Sequence, residues 1–229
     1  MFSHSPKIVT DGLILALDAG NVKSYPGTGT AWFNKGGNNN NGTLINGPTF
    51  NTGSLGNLVF DGVDDYVNLG TFTGLGSSNR TIEIWFQILS LSPSSNRRIF
   101  TLAADDSSTD SPACTIGYTT SANSLSFGFG GSPYDGYVLN INFSLNTWMC
   151  LTGVITSNSI SVYQNSTLIN TVTNTGPVGS NPLGFISRYN AHYGQYSNSR
   201  VSNVKIYNRA LSFNEVLQNY NATKTRYGL

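Results

Sequence analysis

Apolar and polar residues along this chain alternate in short runs, broken at close intervals by Gly, Asn, Ser or Pro. The clearest run is 81–88, where Ile82, Ile84, Phe86 and Ile88 fall on one face and Thr81, Glu83, Trp85 and Gln87 on the other. Alternation with a period of two predicts a strand with one apolar face turned to a core and one mostly polar face. Similar runs predict strands at 13–18, 58–60, 66–69, 98–103, 114–119, 124–129, 137–142, 148–156, 159–164, 167–173, 184–187 and 202–207. Only Asn165 and Ser166 separate two of these runs, which predicts a tight antiparallel hairpin, since Asn tolerates left-handed φ/ψ. So many short strands with turn residues between them predict an all-β sandwich.

One segment departs from this pattern. Ser212-Phe213-Asn214-Glu215 reads as a capping box, with Leu211 and Val216 at the positions of a hydrophobic staple. Val216, Leu217 and Tyr220 then share one helical face, so a short C-terminal helix is expected to pack on the sandwich. The tract Asn38-Asn39-Asn40-Asn41-Gly42 reads as a tight Asx-type turn. Nothing rich in Pro or charge divides the chain, so residues 11–229 are expected to form one domain. Residues 1–10 precede it as an extension, either a docking arm or a disordered tail.

Composition narrows the function. Charged residues make up 10% of the 229, against about 25% in an ordinary soluble domain, and 12 Lys plus Arg nearly cancel 11 Asp plus Glu. Without a basic surface the chain has no electrostatic footprint for nucleic acid or an anionic bilayer. No run approaches the length of a membrane span, and the polar start lacks the apolar segment of a secretory signal, so neither membrane insertion nor signal-directed export is expected. Cys114 and Cys150 sit in apolar strand contexts; they read as buried free thiols, the alternatives being a disulfide or a metal pair.

The segments Val59-to-Gly70 (VFDGVDDYVNLG), Arg80-to-Ile88 (RTIEIWFQI), Asn146-to-Ile155 (NTWMCLTGVI), Ile160-to-Thr171 (ISVYQNSTLINT) and Val201-to-Tyr220 (VSNVKIYNRALSFNEVLQNY) occur in the order seen in the laminin-G-like, concanavalin A-like family, which the chain resembles over nearly its whole length. That resemblance implies a jelly-roll sandwich of two antiparallel sheets with one short C-terminal helix. In a jelly roll the first and last strands pair, which would set 13–18 beside 204–207 and tie down the termini. The ends, 5–34, 38–51 and 220–229, resemble the version of the domain carried by tailed bacteriophages, marine ones in particular, as a virion structural protein. Trp32-Phe33-Asn34-Lys35-Gly36 departs from the phage pattern at Asn34, where that pattern has Asp. The resemblance implies a non-enzymatic virion protein, a capsid decoration or a tail or fibre component, assembled in the host cytoplasm beside other virion proteins and open to homo-oligomerisation. The alternative is a carbohydrate-binding adhesin for host surface glycans.

The family also contains glucanases, so hydrolysis has to be weighed. Cleaving a glycosidic bond normally takes two carboxyl groups about 5 to 9.5 Å apart, and glucanases of this fold carry two Glu and an Asp alternating on one strand. Here the only glutamates are Glu83, with no second acid on its strand, and Glu215, engaged by the capping box. No catalytic residue is assigned, and no cofactor is expected beyond the possibility of calcium. Calcium takes several oxygen ligands, and the acidic clusters are Asp61, Asp64 and Asp65, whose alternative is turn chemistry, and Asp105, Asp106 and Asp110, whose alternative is a solvated loop. A sugar platform would combine aromatic rings with amide and carboxylate groups. Tyr134, Asp135 and Tyr137 have that composition, as do Tyr189, Asn190, His192, Tyr193 and Tyr196. The same tyrosines would equally suit strand ends or a protein interface.

Overall fold

The computed structural model describes residues 6–73, 75, 79–91, 96–103, 106, 113–119, 124–130, 137–173 and 182–229. The strands in chain order are β1 (Leu13–Asp18), β2 (Ala31–Trp32), β3 (Gly42–Ile45), β4 (Thr49–Asn51), β5 (Asn57–Asp61), β6 (Tyr66–Thr71), β7 (Arg80–Ile88), β8 (Asn96–Ala103), β9 (Ala113–Thr119), β10 (Ser124–Gly130), β11 (Tyr137–Asn142), β12 (Met149–Ile155), β13 (Ser159–Gln164), β14 (Thr167–Thr173), β15 (Leu183–Ile186) and β16 (Asn198–Tyr207). They form two eight-stranded antiparallel sheets. One runs β14-β13-β12-β7-β16-β5-β4, with β1 also paired to β16; the other runs β11-β10-β9-β8-β15-β6-β3-β2. This is the expected jelly-roll sandwich, and Leu17 lies opposite Val204 as the pairing of first and last strands requires.

The main core fills the space between the sheets, with Leu15, Leu17, Phe60, Ile82, Ile84, Phe86 and Ile88 from the first meeting Val67, Phe100, Ile116 and Phe127 from the second. Gly153 in β12 makes one close approach possible: a Cβ there would fall 1.9 Å from the Phe127 ring. Burial of this apolar surface supplies most of the fold's driving force.

The second, mostly polar face of β7 is covered as well. Thr81, Glu83, Trp85 and Gln87 are all buried, because helix α1 (Phe213–Thr223) and the 3₁₀ turn Lys224–Tyr227 lie across the outer face of the first sheet. Trp85 is stacked by Tyr227 at 4.0 Å and Tyr220 at 5.7 Å. The helix begins as its sequence predicts: Ser212 Oγ accepts from Glu215 N–H, Glu215 Oε2 accepts from Ser212 N–H at 2.8 Å, and Leu211 and Val216 are buried in one cluster. No helix among the described residues is long and apolar enough to cross a membrane.

Beneath α1 lies a buried polar network. Lys205 Nζ bonds Glu83 Oε1 at 2.7 Å and Asn203 Oδ1 at 2.9 Å, and Asn219 Nδ2 donates to Glu83 Oε2 and to Tyr207 Oη. Asn219 Oδ1 accepts from Val9 N–H, Tyr207 Oη–H donates to Val9 O, and Gln218 Nε2 donates to Lys7 O. Lys7 and Val9 of the N-terminal extension are therefore fastened to the helix and to β16.

Three short strands, β2, β3 and β4, fall where no strand was expected. Asn34 ties the segment after β2 to β1: its Oδ1 accepts from Ala16 N–H and Gly36 N–H while its Nδ2 donates to Ile14 O and Asn38 O. An Asp at this position could not make the last two bonds, since an ionised carboxylate has no donor. Asn165 and Ser166 take φ of 50° and 64° in the expected hairpin, and Cys114 and Cys150 are buried free thiols, burial pushing the Cys114 pKa up to about 12.

A candidate recognition rim at one end of the sandwich

Strand register gathers the candidate residues at one end. Asp61 pairs with Asn198, Ser199 pairs with Ile88, and Arg98 N–H donates to Gln195 O. The β5–β6 turn, the β15–β16 loop and the start of β8 are thereby neighbours.

The β5–β6 turn holds the first acidic cluster. Asp61 Oδ1 accepts from Val63 N–H at 2.8 Å and Asp65 Oδ2 accepts from Asp61 N–H at 3.2 Å, while Gly62 takes a φ of 81° that disfavours other residues. Turn chemistry is thus present. The same turn brings one carboxylate oxygen each from Asp61, Asp64 and Asp65 within 4.8 Å of one another. Oxygens sharing a calcium ion at about 2.3 to 2.6 Å lie no more than about 5 Å apart, so the spacing fits such an ion, which would draw its remaining ligands from carbonyls or water. Burial pushes the Asp65 pKa up to about 6, and the neighbouring Asp61 and Asp64 charges add to the rise against the bond from Asp61 N–H.

The β15–β16 loop is a built structure. Ser187 and Ser197 exchange hydrogen bonds at its base, Tyr193 N–H donates to Asn190 Oδ1 at 2.9 Å, and Gly194 N–H donates to Asn190 O. Asn190 is buried and shapes the turn. Tyr196 packs on Tyr66 at 6.1 Å, and the buried Arg188 guanidinium lies over Tyr66 at 4.6 Å and Phe185 at 4.8 Å. Arg188 Nη2 bonds both Asp106 oxygens, at 2.9 and 3.1 Å, and Asp106 Oδ1 also accepts from Ala191 N–H at 2.7 Å. Asp106 accordingly braces this loop. Tyr189, His192 and Tyr193 form the outer aromatic group: His192 meets Tyr193 edge-on at 4.6 Å, Tyr189 lies 6.0 Å from Tyr193, and Tyr193 is 47% exposed.

Asp61, Asp64 and Asp65 therefore share one rim with Asp106 and with the aromatic loop of Tyr189, His192, Tyr193 and Tyr196, bringing together members of three groups that were separate in the sequence reading. Burial raises the Tyr196 pKa, an effect that Arg188 opposes and that Tyr66, Asp64 and Asp106 reinforce. Tyr134, Asp135, Asp105 and Asp110 lie outside the described residues, and Tyr137 is described only through its backbone pairing with Gly128. Arg188, Tyr66 and Phe185 escaped the sequence reading; the one signal available was the Arg188-Tyr189 junction between a predicted strand and the aromatic loop.

Glu83 lies far from this geometry in kind as well as place. Its side chain is 1% exposed and paired with Lys205, so it has no access to a substrate.

Solved structures share this architecture at low identity. Trypanosoma rangeli sialidase in complex with sialic acid matches with a TM-score of 0.73 and 15% identity, over 98% of this chain and 36% of the sialidase. Domain 4 of AbnA, a GH43 extracellular arabinanase from Geobacillus stearothermophilus in complex with arabinotriose, gives 0.67 and 16%, over 93% of this chain and 100% of that domain. The botulinum neurotoxin serotype D binding domain gives 0.70 and 12%, over 93% of this chain and 51% of that one. The chain thus spans about a third of the sialidase it matches, and the likeness is one of fold. No curated protein matches it in sequence. A laminin-G-like family model, described as the concanavalin A-like lectin/glucanases superfamily, matches residues 61–217. With well over half of its length so matched, the chain belongs to the concanavalin A-like lectin/glucanase superfamily.

Proposed function

We propose that this domain is a non-catalytic glycan-recognition module displayed on the exterior of a tailed bacteriophage particle. The observation that carries the recognition half is the rim itself: exposed Tyr193 and His192 stand on a loop braced by Ser187, Asn190 and the Arg188–Asp106 pair, beside a carboxylate triad spaced for a cation. Rigid loops on a sandwich commonly bear binding residues. Glu83, sealed beneath α1, supports a binding role over hydrolysis. Two fold relatives lend further support, one described with bound sialic acid and the other with bound arabinotriose. The virion half rests on the resemblance of 5–34, 38–51 and 220–229 to phage structural domains, and makes other virion proteins, or further copies of this chain, its neighbours.

The test is a glycan array probed with the purified protein in calcium and again in EDTA. Binding that EDTA abolishes supports recognition assisted by the Asp61, Asp64 and Asp65 triad, and binding indifferent to EDTA removes the cation from the proposal. No binding to any arrayed glycan refutes the recognition half. Immunogold labelling of phage particles tests the virion half, which unlabelled particles would refute.

A further inference from the structure

A cleft of about 210 Å³ opens between the β11–β12 loop and the β13–β14 hairpin, lined by Asn142, Phe143, Ser144, Thr147, Trp148, Met149, Gln164 and Asn165. It lies at the same end as the rim: Asn146 N–H donates to Ile88 O, and Leu89 N–H donates to Asn198 O. We infer that this cleft is a subsite for a single neutral pyranose ring, an inference that rests on the glycan-recognition reading and extends it to a second location.

Three features carry it. The first is charge: none of the eight lining residues is ionisable, so a carboxylated or cationic sugar finds no counter-charge there, whereas a neutral ring forfeits none. The second is an aromatic ring held in place. Phe143 is half-buried and packs at 6.1 Å on Tyr118, whose hydroxyl donates to Ser90 O, while Trp148 beside the cleft is buried against Tyr227 at 5.1 Å. A ring fixed as Phe143 is offers a stacking surface without a large entropy cost on binding.

The third is the set of uncommitted polar groups. Gln164 Nε2 donates to Asn142 O and Asn165 Oδ1 accepts from Cys150 N–H, each at 2.9 Å, which fixes both side chains. Their other ends, Gln164 Oε1 and Asn165 Nδ2, have no partner among the described residues, nor do the Asn142 amide and the Ser144 hydroxyl. An acceptor, a donor, a free amide and a hydroxyl thus belong to residues lining one cleft, and the vicinal hydroxyls of a sugar need both kinds of group. At the rim, by contrast, Asn190 Oδ1 accepts from Tyr193 N–H, and both Asp106 oxygens are engaged by Arg188, one of them also by Ala191 N–H. Size sets the occupant: pockets for drug-sized ligands begin at roughly 300 Å³, so this one takes one ring and leaves the rest of a chain in solvent.

The test uses the full chain on an array of neutral oligosaccharides ending in glucose, galactose, mannose or N-acetylglucosamine together with sialylated counterparts, followed by titration calorimetry with the best binder. Three variants accompany the wild type: Gln164→Ala and Asn142→Ala in the cleft, and Tyr193→Ala at the rim. The Asn142 side chain is exposed and makes no bond among the described residues, so Asn142→Ala keeps the test valid should Gln164→Ala disturb the hairpin. The expected result is a preference for neutral over sialylated glycans and a tenfold or greater loss of affinity in both cleft variants. Full affinity in both cleft variants, with loss confined to Tyr193→Ala, overturns the cleft and leaves the recognition reading standing. Absence of binding to every glycan by wild type overturns both.

Discussion

Replacing Lys205 by Met tests whether Glu83 is a structural residue. Both side chains are nearly inaccessible, 2% and 1% exposed, and among the described residues their only ionic contact is with each other. Met keeps the stem of Lys205 but strands the Glu83 carboxylate with Asn219 Nδ2 as its remaining donor, and leaves Asn203 Oδ1 without its own. Breaking a buried pair from one side costs about 3 to 5 kcal/mol, which in a chain of this size lowers the melting temperature by roughly 6 to 20 °C. The double variant Glu83→Gln/Lys205→Met removes both charges while the introduced glutamine amide still accepts from Asn219, so it should recover most of the loss, to within about 2 kcal/mol of wild type. Urea unfolding followed by far-ultraviolet circular dichroism measures all three proteins, and the single variant Glu83→Gln completes the double-mutant cycle. A loss below about 1 kcal/mol in Lys205→Met, or a double variant no more stable than Lys205→Met, would show that the pair does not carry the packing of α1 on the sheet.

The helix cap, the N-terminal segment and Asp65 each yield a further expected outcome. Ser212→Ala removes the acceptor for Glu215 N–H and should cost about 1 kcal/mol, read as a lower urea midpoint at unchanged slope. Residues 1–10 cannot be deleted silently: the truncation strands Asn219 Oδ1 and Tyr207 Oη, each worth roughly 1 to 3 kcal/mol, and a truncated protein that melts with the wild type would contradict the docking of Val9 on α1. The Asp65 carboxyl, pushed up to about 6, keeps its proton in the folded state at pH values where the unfolded chain has lost it; its own contribution to stability is therefore fully present below about pH 4 and is lost as pH rises through 6, while Glu215, held down to about 2, contributes with the opposite sign at acid pH. Asp65→Asn should flatten that profile in calcium-free buffer, and thermal melts from pH 4 to 8 that superimpose for the two proteins would count against a buried, protonated Asp65.

The parts of this molecule that sequence alone discloses are those decided locally. Period-two runs located thirteen strands, most to within a residue or two, because a half-buried strand must alternate wherever it lies. The capping box located α1 because its hydrogen bonds are made within four residues. What escaped depended on distant partners. β2 spans two residues and is held by pairing with β3, ten residues on, leaving no period to detect. The outer face of β7 carries the polar Glu83 and Gln87, and nothing local announces its burial, which follows from a helix more than a hundred residues downstream and from Lys205, the cross-strand neighbour of Glu83 on β16. The same logic divides the recognition surface. Aromatic and acidic composition drew attention to the rim loops, yet composition could not distinguish Asn190, spent on its own turn, from Gln164, fixed by one atom and open at the other. The polar atoms that the fold leaves uncommitted therefore mark a candidate binding surface better than loop composition does, and the Asn142–Gln164 cleft, silent in the sequence, is where four residues with such atoms line one cleft beside Phe143.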